Sequence, residues 1–337
     1  MTTLLDVRDL HVAYRSARGD VPAVRGVDLT LDAGGTLGVA GESGSGKSTV
    51  ALALLRLLPG TARTTGEILL EGEDVLGMRW GRLRAVRWAG AAIVFQGASH
   101  SLNPVRGVGD QIAEPMLIHR TVPSERVRSR VAELLERVGL PASRAGDYPH
   151  QLSGGQRQRV MIAMALACEP RLIIADEATT ALDVMIQAQV LALLRGLTVD
   201  QGIGMIMISH DLSVLAAHCD RLAVMYAGRI VEQGPAAEVV DSPAHPYAGA
   251  LSAAFPRVGD PASRLAPRGL PGEPPDPADP PPGCVFRPRC ASAETVCATV
   301  DPPLWPVDPD HEGRSARHAA CVHVGPARSA PLPTELP

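Results

Sequence analysis

"GESGSGKSTV", residues 41–50, contains Lys47, the single lysine among 32 lysine and arginine side chains in a chain of 337 residues. Wherever else a positive charge is needed, the protein uses arginine. Guanidinium is a broad planar fork, whereas ammonium is a compact charge with three donors that fits inside a tight ring of backbone groups. Gly41, Gly46, Lys47 and Ser48 fit the pattern G-x-x-x-x-G-K-[ST], in which a glycine-rich turn closes around phosphate oxygens. The flanks agree: residues 36–40 read as an apolar strand, and residues 49–58 as an apolar helix whose N-terminus faces the anion. In such a loop Lys47 reaches the β- and γ-phosphates, and the Ser48 hydroxyl ligates Mg²⁺. A Gly/Ser turn that fits by chance would explain neither the flanking elements nor the lone lysine.

Composition bounds the rest. With 45% hydrophobic residues the chain can fill a core, in one large or two modest domains. A net charge of −4 with interspersed signs offers no basic stripe, so no nucleic-acid partner is expected. The opening "MTTLLDVRDL" lacks a signal-peptide layout, and no apolar run approaches the ~18 residues of a membrane span. A cytosolic protein is expected, and there six cysteines argue for thiols or metal ligands before disulfides.

Residues 3–14 and 22–32 alternate in polarity and predict strands of a half-exposed antiparallel sheet. Residues 124–139 place Val127, Val131, Leu134, Leu135 and Val138 at helical spacing, with Ser124 as cap and Gly139 as stop. Residues 172–175 and 205–208 suit buried parallel strands, so the expected core is α/β with its site at the strand ends. From residue 256 to residue 282, ten of 27 residues are proline, which implies an extended linker. Four of the six cysteines follow it, in residues 283–337.

Two further motifs bear on the loop. "RLIIADEATTALD", residues 171–183, ends an apolar strand in Asp176, suited to Mg²⁺, and Glu177, suited to orienting an attacking water. "YPHQLSGGQRQRVMIAMALA", residues 148–167, sets Leu152, Ser153, Gly154, Gly155 and Gln156 at the start of a long helix, where amides, a hydroxyl and the positive dipole end face an anion. A chain with a complete phosphate loop needs no second grip on its own nucleotide, so this one suits a nucleotide held by another subunit. A plain capped helix is the competing reading.

Together these motifs make the sequence resemble ATP-binding-cassette ATPases over about residues 3–255. The resemblance implies a mixed-sheet lobe bearing the phosphate loop, an antiparallel β subdomain, and a helical subdomain at about 97–165 carrying the signature Leu152–Gln156. It also implies a head-to-tail dimer with two ATP molecules between phosphate loop and signature. By the same resemblance Ser43, Gly44, Ser45 and Thr49 join the ATP-binding stretch, Tyr14 stacks on adenine, and Gln96 joins Ser48 and Asp176 around Mg²⁺. Asp183 is then a dimer contact, His210 holds the γ-phosphate, and Glu177, His210 and Lys47 are catalytic. Tyr14 can also be read as an ordinary strand-end aromatic and Gln96 as a surface amide.

"SLNPV" at 101–105, "TTALDV" at 179–184, "HPY" at 245–247 and "PPGCVFRPRC" at 281–290 narrow the resemblance to ATPases of oligopeptide and dipeptide importers, some of which carry nickel or other cargo. That subgroup implies two transmembrane permease subunits, a second ABC ATPase, identical or related, a substrate-binding protein, and a peripheral position on the cytoplasmic face of the membrane. Gly97-Ala98 and Ala178 depart from its usual Asp-Pro and Pro. Cys284, Cys290, Cys297 and Cys321 are separated by five, six and 23 residues, without any C-x-x-C. The resemblance suggests that they hold a 4Fe-4S cluster; zinc, with His318 or His323 replacing a thiol, and unliganded thiols are the other readings. A cluster would staple an extension too proline-rich to hold a core. Cys168 and Cys219 are expected simply to be buried. The rival functions are a soluble ATPase uncoupled from transport and a non-hydrolysing scaffold. Only 130 residues separate Gly46 from Asp176, too few for the long coiled coils of DNA-repair relatives, and intact Glu177 and His210 disfavour the scaffold.

Overall fold

In the computed structural model, residues 2–17, 19–95, 101–179, 182–254, 269–310 and 316–325 are described. The alternating segments form β1 (Thr3–Ser16) and β2 (Gly19–Asp32), which pair antiparallel; β4 (Ala62–Leu70) and β5 (Glu73–Asp74) extend the sheet in the order β2-β1-β4-β5. Leu5, Val7, Leu10 and Val12 of β1 are buried in one hydrophobic cluster, as a sheet with one solvated face requires.

A second sheet has eight strands in the order β11-β12-β10-β9-β3-β8-β7-β6. Its parallel part comprises β6 (Ala91–Val94), β7 (Leu172–Asp176), β8 (Gly204–Ser209), β3 (Thr36–Ala40) and β9 (Arg221–Tyr226). Every residue of β3 and β7 is buried, which is why both read as unbroken apolar runs: each is covered on two faces. Because β3, β7 and β8 are parallel neighbours, the residues just beyond their C-terminal ends share one edge of the sheet.

Helix α1 (Lys47–Leu54) starts two residues earlier and ends four residues sooner than the expected span of 49–58. Gly46, at φ 102°, is its left-handed N-cap, so Lys47 and Ser48 fall in the first helical turn. Arg56 at φ 50° ends it, with Leu57 N–H donating back to Leu52 O at 2.8 Å. Helix α2 (Trp80–Ala89) follows, broken at Arg87 and Trp88.

Helices α3 (Val108–His119), α4 (Val127–Arg137) and α5 (Gly154–Leu166) pack together through Val108, Ile112, Met116, Val131, Leu134 and Val160. Ser124 does not cap α4. It opens a separate 3₁₀ turn, Ser124–Arg126, and its hydroxyl turns to Glu125 instead. Gly139 does stop the helix, at φ 73°. Four helices complete the sheet's cover: α6 (Val184–Gln201), α7 (Leu212–His218), α8 (Ala236–Asp241) and α9 (Pro246–Ala254).

Residues 269–282 contain neither helix nor strand, as their prolines dictate. Beyond them β12 (His318–Ala319) pairs with β10 (Arg229–Pro235), and β11 (Trp305–Pro306) pairs with β12. The extension thus shares the core of the cassette. Phe286 packs against Tyr226 and Tyr247 with ring centroids 5.2 and 5.3 Å away. Arg317 reaches the fully buried Glu232 at 2.6 Å, and the same carboxylate accepts the Ala244 and His245 amides. Burial pushes the neighbouring His245 down to about 3, so it packs there as a neutral ring. Among the described residues no helix is long and apolar enough to cross a membrane.

Candidate nucleotide site

The loop between β3 and α1 is built as the lysine argument requires. Lys47 is 5% exposed, and its ammonium donates to Gly41 O and Glu42 O at 2.8 Å each, and to Ser45 Oγ at 3.4 Å. Burial lowers its pKa, opposed by the carboxylates of Glu177, Asp176 and Glu42. The ring closes on a single nitrogen, a geometry that the broad planar fork of a guanidinium does not match. Gly46 is required sterically as well as conformationally, since a Cβ there would meet Ala23 O at 2.5 Å.

From the adjacent strand ends, other groups arrive. Ser48 Oγ donates to Asp176 Oδ1 at 3.1 Å, which brings two of the three expected Mg²⁺ ligands to one point. Burial raises the Asp176 pKa, opposed by the Ser48 hydrogen bond and the Lys47 charge. Glu177 follows at φ 45°, a strained left-handed conformation, with its amide bonded to Ile208 O at 3.0 Å. His210, just past β8, sets Nδ1 3.8 Å from Glu177 Oε1. Tyr14 is half-buried against the β subdomain, its hydroxyl 3.2 Å from Thr49 Oγ1. Gln96 and the Gly97-Ala98 departure lie outside the described residues.

The signature stands apart from this cluster, at the N-terminus of α5. Ser153 Oγ accepts from Gln156 N at 3.3 Å, and Gln156 Oε1 accepts from Ser153 N at 3.0 Å, a reciprocal capping box. Leu152 is buried; Ser153 and Gly154 are exposed. Gly155 packs so close to α6 that a Cβ would meet Ile186 at 2.4 Å. Asp183 caps α6 by accepting from Ile186 N at 3.0 Å, so Ile186 ties the signature to the segment after Glu177.

Cys284, Cys290, Cys297 and Cys321 line one small cavity with His245 and His323. Burial raises the pKa values of Cys284, Cys290 and Cys321, the last to about 11. Among the described residues no group of three or more His, Cys, Asp or Glu stands ready to hold a single metal ion. Cys168 and Cys219 are buried free thiols, as expected.

Three contributors escaped the sequence reading. Glu42, second in the phosphate loop, is gripped by Arg289 at 2.6 and 2.9 Å, and its amide donates to Tyr247 Oη at 2.9 Å. Arg289 and Tyr247 stand in the quoted "PPGCVFRPRC" and "HPY", motifs in which the sequence assigns a role to the cysteines alone and none to HPY.

A buried lysine in a glycine loop, with paired carboxylates and a histidine at neighbouring strand ends, defines a phosphate-loop nucleoside triphosphatase. The ABC transporter family matches residues 24–180, and the oligopeptide/dipeptide transporter C-terminal region matches residues 231–297. Brucella ovis has a "Putative peptide import ATP-binding protein" that is 44% identical over 93% of this chain and 97% of its own length. A protein of the same description from Brucella abortus is 46% identical over 89% of this chain and 90% of its own. Among solved structures, the dimeric post-hydrolysis state of the cassette MJ0796 bound to ADP and Pi aligns at a TM-score of 0.62 and 27% identity, over 69% of this chain and 98% of that one. The cassette cbiO1 from Clostridium perfringens, part of a cbiONQ transporter complex, aligns at 0.61 and 29%, over 72% of this chain and 92% of that one. The chain belongs to the ABC transporter ATPase family. It is an ATPase with the cassette fold.

Proposed function

We propose that this chain is the ATP-hydrolysing subunit of an importer of di- or oligopeptides, or of a related cargo such as nickel, working at the cytoplasmic face of the membrane. The observation that carries this reading is the 44% identity to a peptide import protein across 93% of the chain, C-terminal region included. Its partners are two permease subunits, a second cassette ATPase and, through the complex, a substrate-binding protein.

Lys47 reaches the β- and γ-phosphates, Gly41, Ser43, Gly44, Ser45, Gly46, Ser48 and Thr49 line the ATP site with it, and Ser48 and Asp176 hold Mg²⁺ together with Gln96. Glu177 orients the attacking water, His210 holds the γ-phosphate, and Tyr14 supports adenine. Leu152–Gln156 meet the nucleotide of the partner ATPase, with Asp183 at the dimer contact. Closure then follows from charge: ATP bridges the two faces, and loss of the shared γ-phosphate lets them part. In domain terms, residues 1–255 are the nucleotide-binding unit, 256–282 the linker and 283–337 the cysteine-bearing extension.

Four thiols around one cavity are a soft donor set that suits a 4Fe-4S cluster, which would cross-link the extension through Cys284, Cys290, Cys297 and Cys321. Protein purified anaerobically should contain iron and sulfide; finding neither would end this part of the proposal, and zinc in their place would replace it. For the importer itself, the tagged chain is purified from its native membranes in mild detergent and its companions identified by mass spectrometry. Permeases and a sibling ATPase are expected. Recovery only in the soluble fraction would overturn the importer reading in favour of an ATPase uncoupled from transport.

A further inference from the structure

An acidic side chain in a phosphate loop is an electrostatic problem. Glu42 adjoins the site where a triphosphate carrying several negative charges must settle, and its carboxylate is close enough to act on the Lys47 ammonium. The extension supplies the answer. Arg289 places both terminal nitrogens of its guanidinium on the two Glu42 oxygens, at 2.6 and 2.9 Å, the bidentate geometry that gives a charged pair both strength and direction.

Arg289 is itself held fast. Its side chain is 5% exposed, Nε donates to Pro271 O at 2.7 Å, Nη1 lies 3.3 Å from Tyr226 Oη, and the guanidinium sits 5.8 Å from the centre of the Tyr226 ring. Hydrogen bonding to Glu42 raises its pKa further, so it is permanently charged. Tyr247 pins the Glu42 amide from the same side, and Pro274, Pro275 and Pro277 line a cavity with Glu42, Ser43, Gly44 and Ser45. The loop is therefore braced from behind by residues that follow it in sequence by more than 200 positions.

We propose that Arg289 is a positioning residue of the ATP site: by clamping Glu42 it neutralises the loop's own carboxylate and fixes the loop in the shape that receives the triphosphate. The cysteine-bearing extension, whose Cys290 is the next residue, is then a working part of the nucleotide site in the same chain. This rests on the ATP-binding reading of the loop and is independent of cargo.

The test measures affinity of the full-length, anaerobically purified chain for a fluorescent ATP analogue with Mg²⁺. Arg289→Met should weaken binding about 10-fold, the effect of leaving a partly buried carboxylate unpaired beside an anion site. In a Glu42→Gln background the same substitution should cost less than about 2-fold, because the charge to be neutralised is gone. An equal loss in both backgrounds would reduce Arg289 to a packing residue, and no loss in either would overturn the proposal outright. Arg289→Lys, which keeps the charge and loses the fork, guards against a variant that fails to fold; it should weaken binding about 3-fold, and unchanged binding would also count against the clamp. The assay needs neither permeases nor peptide, so a failed importer reading would appear in the membrane purification and not here.

Discussion

The chain has two glycine-bearing helix starts, the phosphate loop and the signature, and they are built in opposite ways. Around Lys47 the loop exposes Ser43, Gly44 and Ser48 but buries the ammonium, which fills the loop's own carbonyl ring, and its acidic residue is clasped by the far end of the chain. At the signature, Ser153 and Gly154 are likewise exposed, but what holds the segment is local: the Ser153 and Gln156 amides are satisfied by the helix's own capping box. A site that is braced by its own chain is built to bind alone. One that is held only by its own cap is stable without a ligand and open to something brought from outside. The difference fits the proposed sharing of one nucleotide between two subunits, in which one face would hold ATP and the other would close on it.

The comparison breaks first at catalysis. If the buried cluster does the chemistry, Glu177→Gln should slow turnover by about 10²- to 10⁴-fold, the range for removing a group that handles the attacking water, while Mg-ATP affinity stays within a few-fold. Phosphate release measured under single-turnover conditions checks it; a variant that hydrolyses normally would remove Glu177 from the mechanism. Next in size is Lys47→Arg. It keeps the charge but not the compact shape, and should cost roughly 10²-fold in turnover. Near-normal turnover would refute the geometric reason for the single lysine.

The signature's two readings part at Ser153. Ser153→Ala removes the cap and should destabilise the chain by about 1 kcal/mol. Aspartate is as good a cap as serine, so Ser153→Asp should melt close to the wild type, yet it sets a carboxylate where a partner's triphosphate would lie. Turnover of the assembled ATPase should fall about 10-fold or more in the aspartate variant. If turnover instead follows thermal stability, strong in the aspartate variant and weak in the alanine variant, the signature is only a capped helix.

Much of this was legible because it is local. The β3-loop-α1 unit, the strand ending in Asp176 and Glu177, and the capping pattern at Ser153 each occupy fewer than twenty consecutive residues. Errors fell where neighbouring signals compete: Ser124 looked like a helix cap but starts a 3₁₀ turn, and α1 was read past Arg56, whose left-handed backbone no composition rule announces. The clamp was illegible for a different reason. Glu42 and Arg289 are 247 residues apart, with no periodicity to connect them, and the proline-rich stretch between suggested separation where the fold brings the chain back onto the loop. Even the cysteines misdirected attention, since they made "RPRC" look like a metal motif.

The smallest effect sharpens the contrast between the two sites. Burial raises the Asp176 pKa, so between the unfolded carboxylate value of ~3.9 and its higher folded value the native state holds more protons than the unfolded chain. Stability therefore falls as pH rises through that window, and above it the nucleotide-free protein carries the full cost of a buried, ionised carboxylate. Asp176→Asn removes the charge. At pH 7 the nucleotide-free variant should melt about 2 °C above the wild type, and the gap should close as pH drops below the unfolded value. Adding Mg-ATP should reverse the order, because only the wild type gains a cation at that point. A nucleotide-free variant that melts lower at pH 7 would mean that Lys47 and Ser48 already compensate the charge, and that the phosphate-loop site, like the signature, is content when empty.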